Sequence, residues 1–362
     1  MKILLLGEYS GFFKNLKDGL VSLGHEVDIL ATGDGFKKTD ITDLYFPTSD
    51  INFIRKVKKL FFPLIGLRKL YNYDIVQLIN HDIFGGLNYN YNYRLLSKIK
   101  NKSGKMFLSS CGTNYFVYKI RNQLTYNYVD ATIKIDLKNN NNYAKKNYVK
   151  NNILVANLVD GIIPTTYTYR LAYEHSSKIT DTIPFPINID DIKFIPQRFN
   201  NKIIILHGIT RVGFKGTSYI KLALEKLKLK YSDEIEVIID GKMSLKEYLY
   251  ILEKTNIVVD QALSYEYGMN AMYSMAMGKV VLSGNEPESQ KEFQRYDIPV
   301  INIEPSVDDI YDKLEYLILN KNKIIEIGKK SREFVEDFHS HVKVAKQYID
   351  VWESTGGNNN GK

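Results

Sequence analysis

The sequence predicts an α/β protein of two doubly wound domains, each built on a parallel sheet. Three observations support this prediction. The chain has 362 residues, more than one hydrophobic core usually organises. Short apolar runs alternate with helix-length amphipathic stretches in both halves, and a segment with three prolines, 181–200, separates the two series.

The first half opens with a βαβ pattern. The apolar run KILLLG is followed by an amphipathic stretch over 12–23 and then by the β-rich run EVDILA. Further apolar runs at 74–79, 105–110 and 161–166 leave room for helices between them. We therefore predict a Rossmann-like domain over 1–185 and an extended linker over 186–200.

The second half repeats the alternation. Strands are predicted at KIIILHG, EVIIDG, NIVVDQ, KVVLSG and IPVINI, with helices over 217–230, over 245–254 and from Gly268. This predicts a second Rossmann-like domain over 201–338, a C-terminal helix over 339–354 that packs back on the first domain, and a disordered tail over 355–362. Ligands of such folds bind at the carboxyl ends of the strands, so a cleft between the domains is expected.

Composition narrows the function classes. A net charge of +8 favours an anionic partner, yet the scattered basic residues and the lack of zinc-finger or RNA-binding motifs speak against nucleic acid. The single cysteine, Cys111, forms no internal disulfide and suits a reducing cytoplasm. No apolar run reaches the roughly 18–20 residues of a membrane span, so we expect a cytoplasmic protein.

The strongest local signal is HGITRVGFKGTSYI at 207–220. Here a predicted strand is followed by a loop that carries Arg211, Lys215 and Gly216, and a helix begins after this loop. Two cations beside a helix N-terminus suit a diphosphate. The alternative is an exposed loop with two solvated cations.

A second signal lies in DQALSYEYGMNAMYSMAMGKVVLSG at 260–284. Another helix begins near Gly268, where Tyr265 and Tyr267 are placed to flank a base or sugar and Glu266 to hold sugar hydroxyls. The alternative is that the tyrosines only cover the helix end.

Together these segments resemble the donor site of GT-B glycosyltransferases of the GT4-like group, and KILLLGEYSG with GHEVDIL extends the resemblance to nearly the whole chain. It implies a nucleotide-sugar donor, a glycan or lipid-linked acceptor, no cofactor and no metal, and retention of anomeric configuration. It implies contacts with the donor phosphates for Arg211, Lys215, Gly268 and Met269. With the other residues of the two segments, the predicted donor-binding set is Arg211, Lys215, Gly216, Tyr265, Glu266, Tyr267, Gly268, Met269, Asn270 and Tyr273.

The chain departs from the family pattern at two places. Tyr265 and Tyr273 stand where the family usually carries two glutamates, and Cys111 and Asn114 stand where many members have histidine and aspartate. His81, in a loop after a predicted strand, and Glu266 are the candidate catalytic groups, with a structural hydrogen bond as the alternative for His81.

Acceptor-side contacts are expected from the loop after the first strand. The resemblance places Ser10, Gly11 and Phe12 there, with Cys111 and Asn114 as further acceptor-side residues. The spacing of Gly7 and Gly11 does not match a dinucleotide fingerprint.

The stretch 52–70 reads as a basic amphipathic helix. Such a helix is suited to rest on anionic lipid at the inner face of the membrane, and the alternative is an ordinary core-facing helix with a solvated basic face.

Three functions are compatible with these observations. The first is sugar transfer from a nucleotide donor in surface polysaccharide biosynthesis. The others are a nucleotide-sugar 2-epimerase on the same architecture, and a binding or partner subunit that has lost turnover.

Overall fold

A computed structural model describes residues 1–31, 43, 66–84, 89–135, 143–199, 201–209, 213–241 and 245–355. Three sequence predictions fall wholly or partly outside these residues. They concern Arg211, the part of the basic stretch over 52–65, and the tail over 356–362. Within the described ranges, no helix is long and apolar enough to cross a membrane.

Internal contacts divide the chain into two compact units. Unit 1 comprises Met1–Lys119, Asn141–Pro186 and His341–Lys362, and unit 2 comprises Ile120–Asn140 and Ile187–Ser340. The predicted domains, 1–185 and 201–338, run continuously along the chain. Each unit instead includes a segment from the other half of the sequence.

Unit 1 is built on a five-stranded parallel sheet in the order β2-β1-β3-β4-β5. Its strands are β1 (Lys2–Leu6), β2 (Glu26–Leu30), β3 (Ile75–Leu78), β4 (Lys105–Ser110) and β5 (Gly161–Pro164). Its helices are α1 (Phe12–Ser22), α2 (Tyr89–Lys100), α3 (Tyr115–Ile120, whose last residue belongs to unit 2), α5 (Lys146–Leu158), α6 (Tyr167–Leu171) and α13 (His341–Ser354). A short 3-10 helix spans Leu67–Leu70.

Unit 2 is built on a second five-stranded parallel sheet, in the order β10-β9-β8-β6-β7. Its strands are β6 (Ile203–Ile209), β7 (Ile235–Gly241), β8 (Ile257–Val259), β9 (Val280–Ser283) and β10 (Ile301–Asn302). Its helices are α4 (Tyr128–Ile135), α7 (Thr217–Lys230), α8 (Leu245–Lys254), α9 (Met269–Ala276), α10 (Pro287–Phe293), α11 (Val307–Leu319) and α12 (Lys321–Phe338). Two parallel sheets with interleaved helices confirm the predicted fold class.

The helices of unit 2 form where apolar periodicity and end signals agree. In α7, Ile220, Leu224 and Leu227 are fully buried against the sheet, as the helical spacing of apolar residues predicts. Helix α11 begins after Ser306, whose side chain accepts a hydrogen bond from the Asp309 amide at 3.3 Å. These elements fix where the loops of the carboxyl edge begin and end.

Helix α13 completes unit 1 by packing against α1. A Cβ on Gly19 would lie 2.2 Å from the His341 carbonyl oxygen, so the two helices approach closely at a residue without a side chain. Val344, Tyr348 and Trp352 carry the buried face of α13, and all three are fully buried. The C-terminal helix is thus part of the core of unit 1.

Candidate functional site

The carboxyl edge of the unit 2 sheet is where a ligand is expected. Strand β6 lies between β7 and β8, so the connections that follow β6 and β8 leave towards opposite sides of the sheet. In open α/β sheets this divergence forms a crevice at the strand ends. The predicted residues 207–220 and 260–270 follow these two strands.

Lys215 and Asp260 form a buried ion pair at this edge. Lys215 Nζ donates to Asp260 Oδ1 at 2.6 Å and to the Gly208 carbonyl oxygen at 2.9 Å. The two side chains are only 5% and 3% exposed. The charge of Lys215 is therefore balanced within the protein and is not a free cation on the surface.

His207 lies beneath this pair. Its Nδ1 is 2.7 Å from the Val259 carbonyl oxygen, so Nδ1 carries the proton and donates, and Nε2 accepts from the Thr217 hydroxyl at 3.0 Å. The pKa of His207 is lowered to about 4, mainly by burial and also by the nearby Lys215, against the raising effects of the Val259 carbonyl and of Asp260. His207 is neutral at physiological pH and joins β6 to β8 and α7.

The low pKa of His207 makes the stability of the protein sensitive to acid. In the unfolded chain His207 takes up a proton near pH 6.5, whereas in the folded protein it does so only near pH 4. The contribution of His207 to the free energy of unfolding is therefore fully present above pH 6.5. About 3 kcal/mol of it is lost as the pH falls towards 4. We expect His207→Asn, which keeps a donor near the Nδ1 position, to flatten the dependence of the free energy of unfolding on pH.

The matched control is His175→Asn. The His175 side chain is 90% exposed, so this change should leave the pH dependence as in the wild type. An unchanged slope in His207→Asn would contradict the assignment. Urea unfolding at pH 7, 6, 5 and 4 provides the measurement.

Residues of the loop after β8 cover the helix start predicted at Gly216. Gly216 has a φ of +72° and precedes α7, but a Cβ there would meet Leu263 Cγ at 3.2 Å and Ala262 Cβ at 3.4 Å. The Ala262 amide also donates to the Lys215 carbonyl at 2.9 Å. The loop after β8 therefore packs over the start of α7.

The helix start predicted at Gly268 is open. Gly268 precedes α9, and a Cβ built on it would meet no atom of the described residues within 4 Å, its chain neighbours aside. The first N–H groups of a helix have no acceptor inside the helix and lie at the positive end of its dipole. Met269 and Asn270, the first two residues of α9, are half-buried. Of the two helix starts in the predicted donor site, this one is not covered by the described residues.

The residues around Gly268 are held by protein contacts. The Tyr265 hydroxyl accepts from the Thr125 amide at 3.0 Å, and the Tyr267 hydroxyl lies 2.9 Å from His339 Nε2. Glu266 is 4% exposed, and its carbonyl accepts from Gln261 Nε2 at 2.9 Å. The loop before α9 is therefore fixed in place.

Tyr273, one turn further along α9, is 9% exposed and buried within unit 2. It stands where the resembling family usually carries a glutamate. Its assignment to donor binding stays a prediction.

In unit 1, the loop after β1 caps its own helix. Glu8 accepts from the amides of Gly11 and Lys14 at 2.8 Å each, so its carboxylate occupies the start of α1. Ser10 and Gly11 have positive φ angles of 55° and 87°, and Phe12 is fully buried. The amides of Gly11 and Lys14 at this helix start thus already have a carboxylate acceptor.

His81 lies in the loop after β3, buried among aromatic rings. Its Nε2 is 2.8 Å from the Tyr173 hydroxyl, and its ring stacks on Phe116. Asn92 and Asn151 both donate to its carbonyl oxygen, at 2.8 and 3.2 Å. His81 is only 2% exposed. This burial lowers its pKa to about 3, so the imidazole is neutral at physiological pH.

Cys111 and Asn114 have structural contacts at the end of β4. The Cys111 thiol donates to the Ile79 carbonyl at 3.1 Å, and burial raises its pKa. Asn114 Oδ1 accepts from the amides of Phe116 and Val117 and so caps α3. Both side chains are buried, at 3% exposure each.

Sequence reasoning missed several residues at the carboxyl edge of the unit 2 sheet. Asp260 had a usable signal, because a charged residue directly follows the apolar strand β8. Thr125, Tyr126 and Glu286 had none, because their partners are distant in sequence. Among the described residues, no group of three His, Cys, Asp or Glu side chains is placed to hold a metal ion.

No protein-family profile matches the sequence. A comparison with curated proteins finds no match either. Solved structures do match. HepE from Anabaena in complex with UDP-glucose is 10% identical, with a TM-score of 0.61 over 98% of this chain and 100% of that one.

Two further structures cover large parts of the chain. Sucrose-phosphate synthase from Thermosynechococcus elongatus is 12% identical, with a TM-score of 0.58 over 98% of each chain. S. aureus TarM, in complex with fondaparinux, alpha-GlcNAc-glycerol and UDP, is 17% identical, with a TM-score of 0.55 over 83% of this chain and 59% of that one. At these identities the similarity shows the fold, and the chain has the GT-B fold.

Proposed function

We propose that the chain is a glycosyltransferase that moves a sugar from a nucleoside diphosphate sugar to a glycan or lipid-linked saccharide. The observation that carries this proposal is the open start of α9 at Gly268, on the carboxyl edge of a GT-B unit. The proposal includes retention of anomeric configuration, no metal, and a role in surface polysaccharide synthesis at the cytoplasmic face of a membrane.

We expect UDP to be the nucleotide part of the sugar donor. The structures of HepE contain UDP-glucose, or UDP and glucose, and that of TarM contains UDP together with a saccharide. This chain has the same fold, and its unit 2 offers an uncovered helix start that suits a diphosphate. A uridine nucleotide is therefore the first ligand to test.

The chemistry required of unit 2 is stabilisation of a leaving group. The bond between the anomeric carbon and the phosphate oxygen breaks, a bond from that carbon to the acceptor oxygen forms, and the proton of the acceptor hydroxyl passes to the departing diphosphate. Negative charge grows on the departing diphosphate, and the N–H groups at Met269 and Asn270 are placed to stabilise it.

His81 and Glu266 were the candidate catalytic groups, and the structure favours positioning roles for both. A histidine whose pKa is about 3 is a poor base near pH 7, and His81 Nε2 is already engaged with Tyr173. Glu266 is 4% exposed in the loop before α9. We propose that each of them shapes the loop that carries it.

The test is Gly268→Val. Gly268 has φ −122° and ψ −169°, an extended conformation that valine adopts readily, and a Cβ there would meet no atom of the described residues within 4 Å, its chain neighbours aside. Because valine is a poorer helix N-cap than glycine, the melting temperature without ligand should fall slightly. The Kd for UDP should rise about tenfold or more, equal to at least about 1.4 kcal/mol. Titration calorimetry with UDP, GDP and CMP provides the measurement.

Lys321→Val is the control, because Lys321 is an exposed residue at the start of α12. It should bind UDP as the wild type does. No binding of any nucleotide by the wild type would overturn the proposal. Binding of UDP-sugars without transfer or hydrolysis would instead indicate a binding subunit without turnover.

A further inference from the structure

Residues 121–128, here called the strap, come from the first half of the sequence but belong to unit 2. The chain leaves unit 1 after Lys119 and returns to it at Asn141. The strap is ordered by its own contacts. Asn127 donates to the Arg121 carbonyl at 3.2 Å and accepts from the Asp130 amide at 2.8 Å, and Arg121 pairs with Asp130 at 3.0 Å.

The strap contacts the loop before α9 and the start of α10. The Thr125 amide donates to the Tyr265 hydroxyl at 3.0 Å, and the rings of Tyr126 and Tyr265 lie 5.1 Å apart. The Tyr126 hydroxyl donates to the carboxylate of Glu286, which also accepts from Asn302 Nδ2 at 2.7 Å. Burial, and then this bond to Glu286, raises the pKa of Tyr126.

The strap also contacts the loop after β6. The Tyr128 ring lies 4.2 Å from that of Phe214, the residue before Lys215. The strap therefore touches the loops that follow β6, β8 and β9, which all lie at the carboxyl edge of the sheet.

The loop 260–268 has further anchors that agree with this arrangement. The Glu286 amide donates to the Tyr265 carbonyl at 2.9 Å, so Tyr265 is held by both its backbone and its hydroxyl. A Cβ on Gly284 would lie 2.0 Å from the Ser264 carbonyl oxygen, which fixes the loop against the end of β9. Gly268, the open position described above, is the last residue of this loop.

We propose that the strap is a positioning element for the nucleotide site: Thr125 and Tyr126 hold the loop 260–268 so that the start of α9 faces the diphosphate. This inference rests on the proposed function, because it concerns the same helix start. It assigns Tyr265 to anchoring the strap, where the sequence suggested a position beside the base or sugar of the donor.

Tyr126→Phe tests the proposal, because it removes the hydroxyl bond to Glu286 and keeps the ring on Tyr265. The Kd for UDP should rise about fivefold, as expected for one lost hydrogen bond that supports a binding loop. In the wild type, UDP should slow hydrogen exchange in peptides covering both 121–128 and 260–268. In Tyr126→Phe it should slow exchange over 260–268 much more than over 121–128.

Tyr311→Phe is the matched control. The Tyr311 hydroxyl donates to Glu315 at 2.6 Å, so this variant loses the same kind of bond in unit 2 outside the proposed site. Its affinity for UDP should equal that of the wild type. Glu286→Gln, which keeps a neutral acceptor for Tyr126, should give a smaller rise in Kd than Tyr126→Phe.

The outcomes separate this inference from the proposed function. If the wild type and Tyr126→Phe bind UDP equally well, and UDP leaves exchange over 121–128 unchanged, the strap has no positioning role and the proposed function stands. If the wild type binds no nucleotide, the proposed function and this inference both fail. A rise in Kd shared by Tyr311→Phe would also overturn the inference.

Discussion

Asp260→Asn is expected to lower the free energy of unfolding by about 3–5 kcal/mol, because it leaves the charge of a buried lysine without its partner. Lys215 and Asp260 are 5% and 3% exposed, and their contact of 2.6 Å is supplemented by one bond to the Gly208 carbonyl. Water cannot replace the lost carboxylate at that depth. Urea unfolding followed by circular dichroism gives the change directly.

Two further variants show whether burial causes the loss. Glu225→Gln removes one partner of the pair Lys221–Glu225, whose side chains are 59% and 55% exposed, and exposed pairs contribute at most about 0.5 kcal/mol. The double variant Lys215→Met with Asp260→Leu should recover most of the stability, because apolar residues often replace a buried pair without cost. A loss below about 1 kcal/mol in Asp260→Asn would show that solvent reaches Lys215.

This pair also changes how the nucleotide site should be probed. Lys215→Ala would remove a predicted phosphate contact and, at the same time, leave Asp260 unpaired in the interior. Weaker binding would then follow from local unfolding as well as from a lost contact. Gly268→Val avoids this ambiguity, because it breaks no buried ion pair and its Cβ would meet no atom of the described residues within 4 Å, its chain neighbours aside.

The alternation of strands and helices could be predicted because the signals are local. The apolar periodicity of α7 and the cap at Ser306 each lie within a few residues of the element that they define. The contacts of the carboxyl edge are different in kind. Asp260 lies 45 residues from Lys215, and Tyr265 lies 140 residues from Thr125, so no local pattern reports them.

The same limit explains why the two helix starts of the predicted donor site look alike in the sequence. Each has a glycine before a helix at the end of a strand. Only the packing of Ala262 and Leu263 over Gly216 closes one of them, and the open space at Gly268 distinguishes the other. Whether a helix start can receive a ligand depends on which distant side chains cover it.

Trp352→Ala is expected to destabilise the protein by about 3–5 kcal/mol, the usual cost of removing a large buried ring. Trp352 is fully buried in α13, against Phe107 and Tyr348. Its Nε1 donates to Gln77 Oε1 at 2.9 Å, and Gln77 in turn donates to Ser109 at 3.0 Å. The variant leaves both a cavity and a buried acceptor without its donor.

Trp352→Phe keeps a buried aromatic ring but loses the hydrogen bond to Gln77 and the volume of the five-membered ring. It should cost less than Trp352→Ala, about 1–3 kcal/mol, most of it from the unsatisfied buried acceptor. Trp352 belongs to unit 1, whereas the proposed nucleotide site belongs to unit 2. At a temperature where both variants stay folded, their Kd for UDP should therefore match that of the wild type. A change in Kd without a change in melting temperature would show instead that α13 acts on the nucleotide site, and that its role extends beyond the core of unit 1.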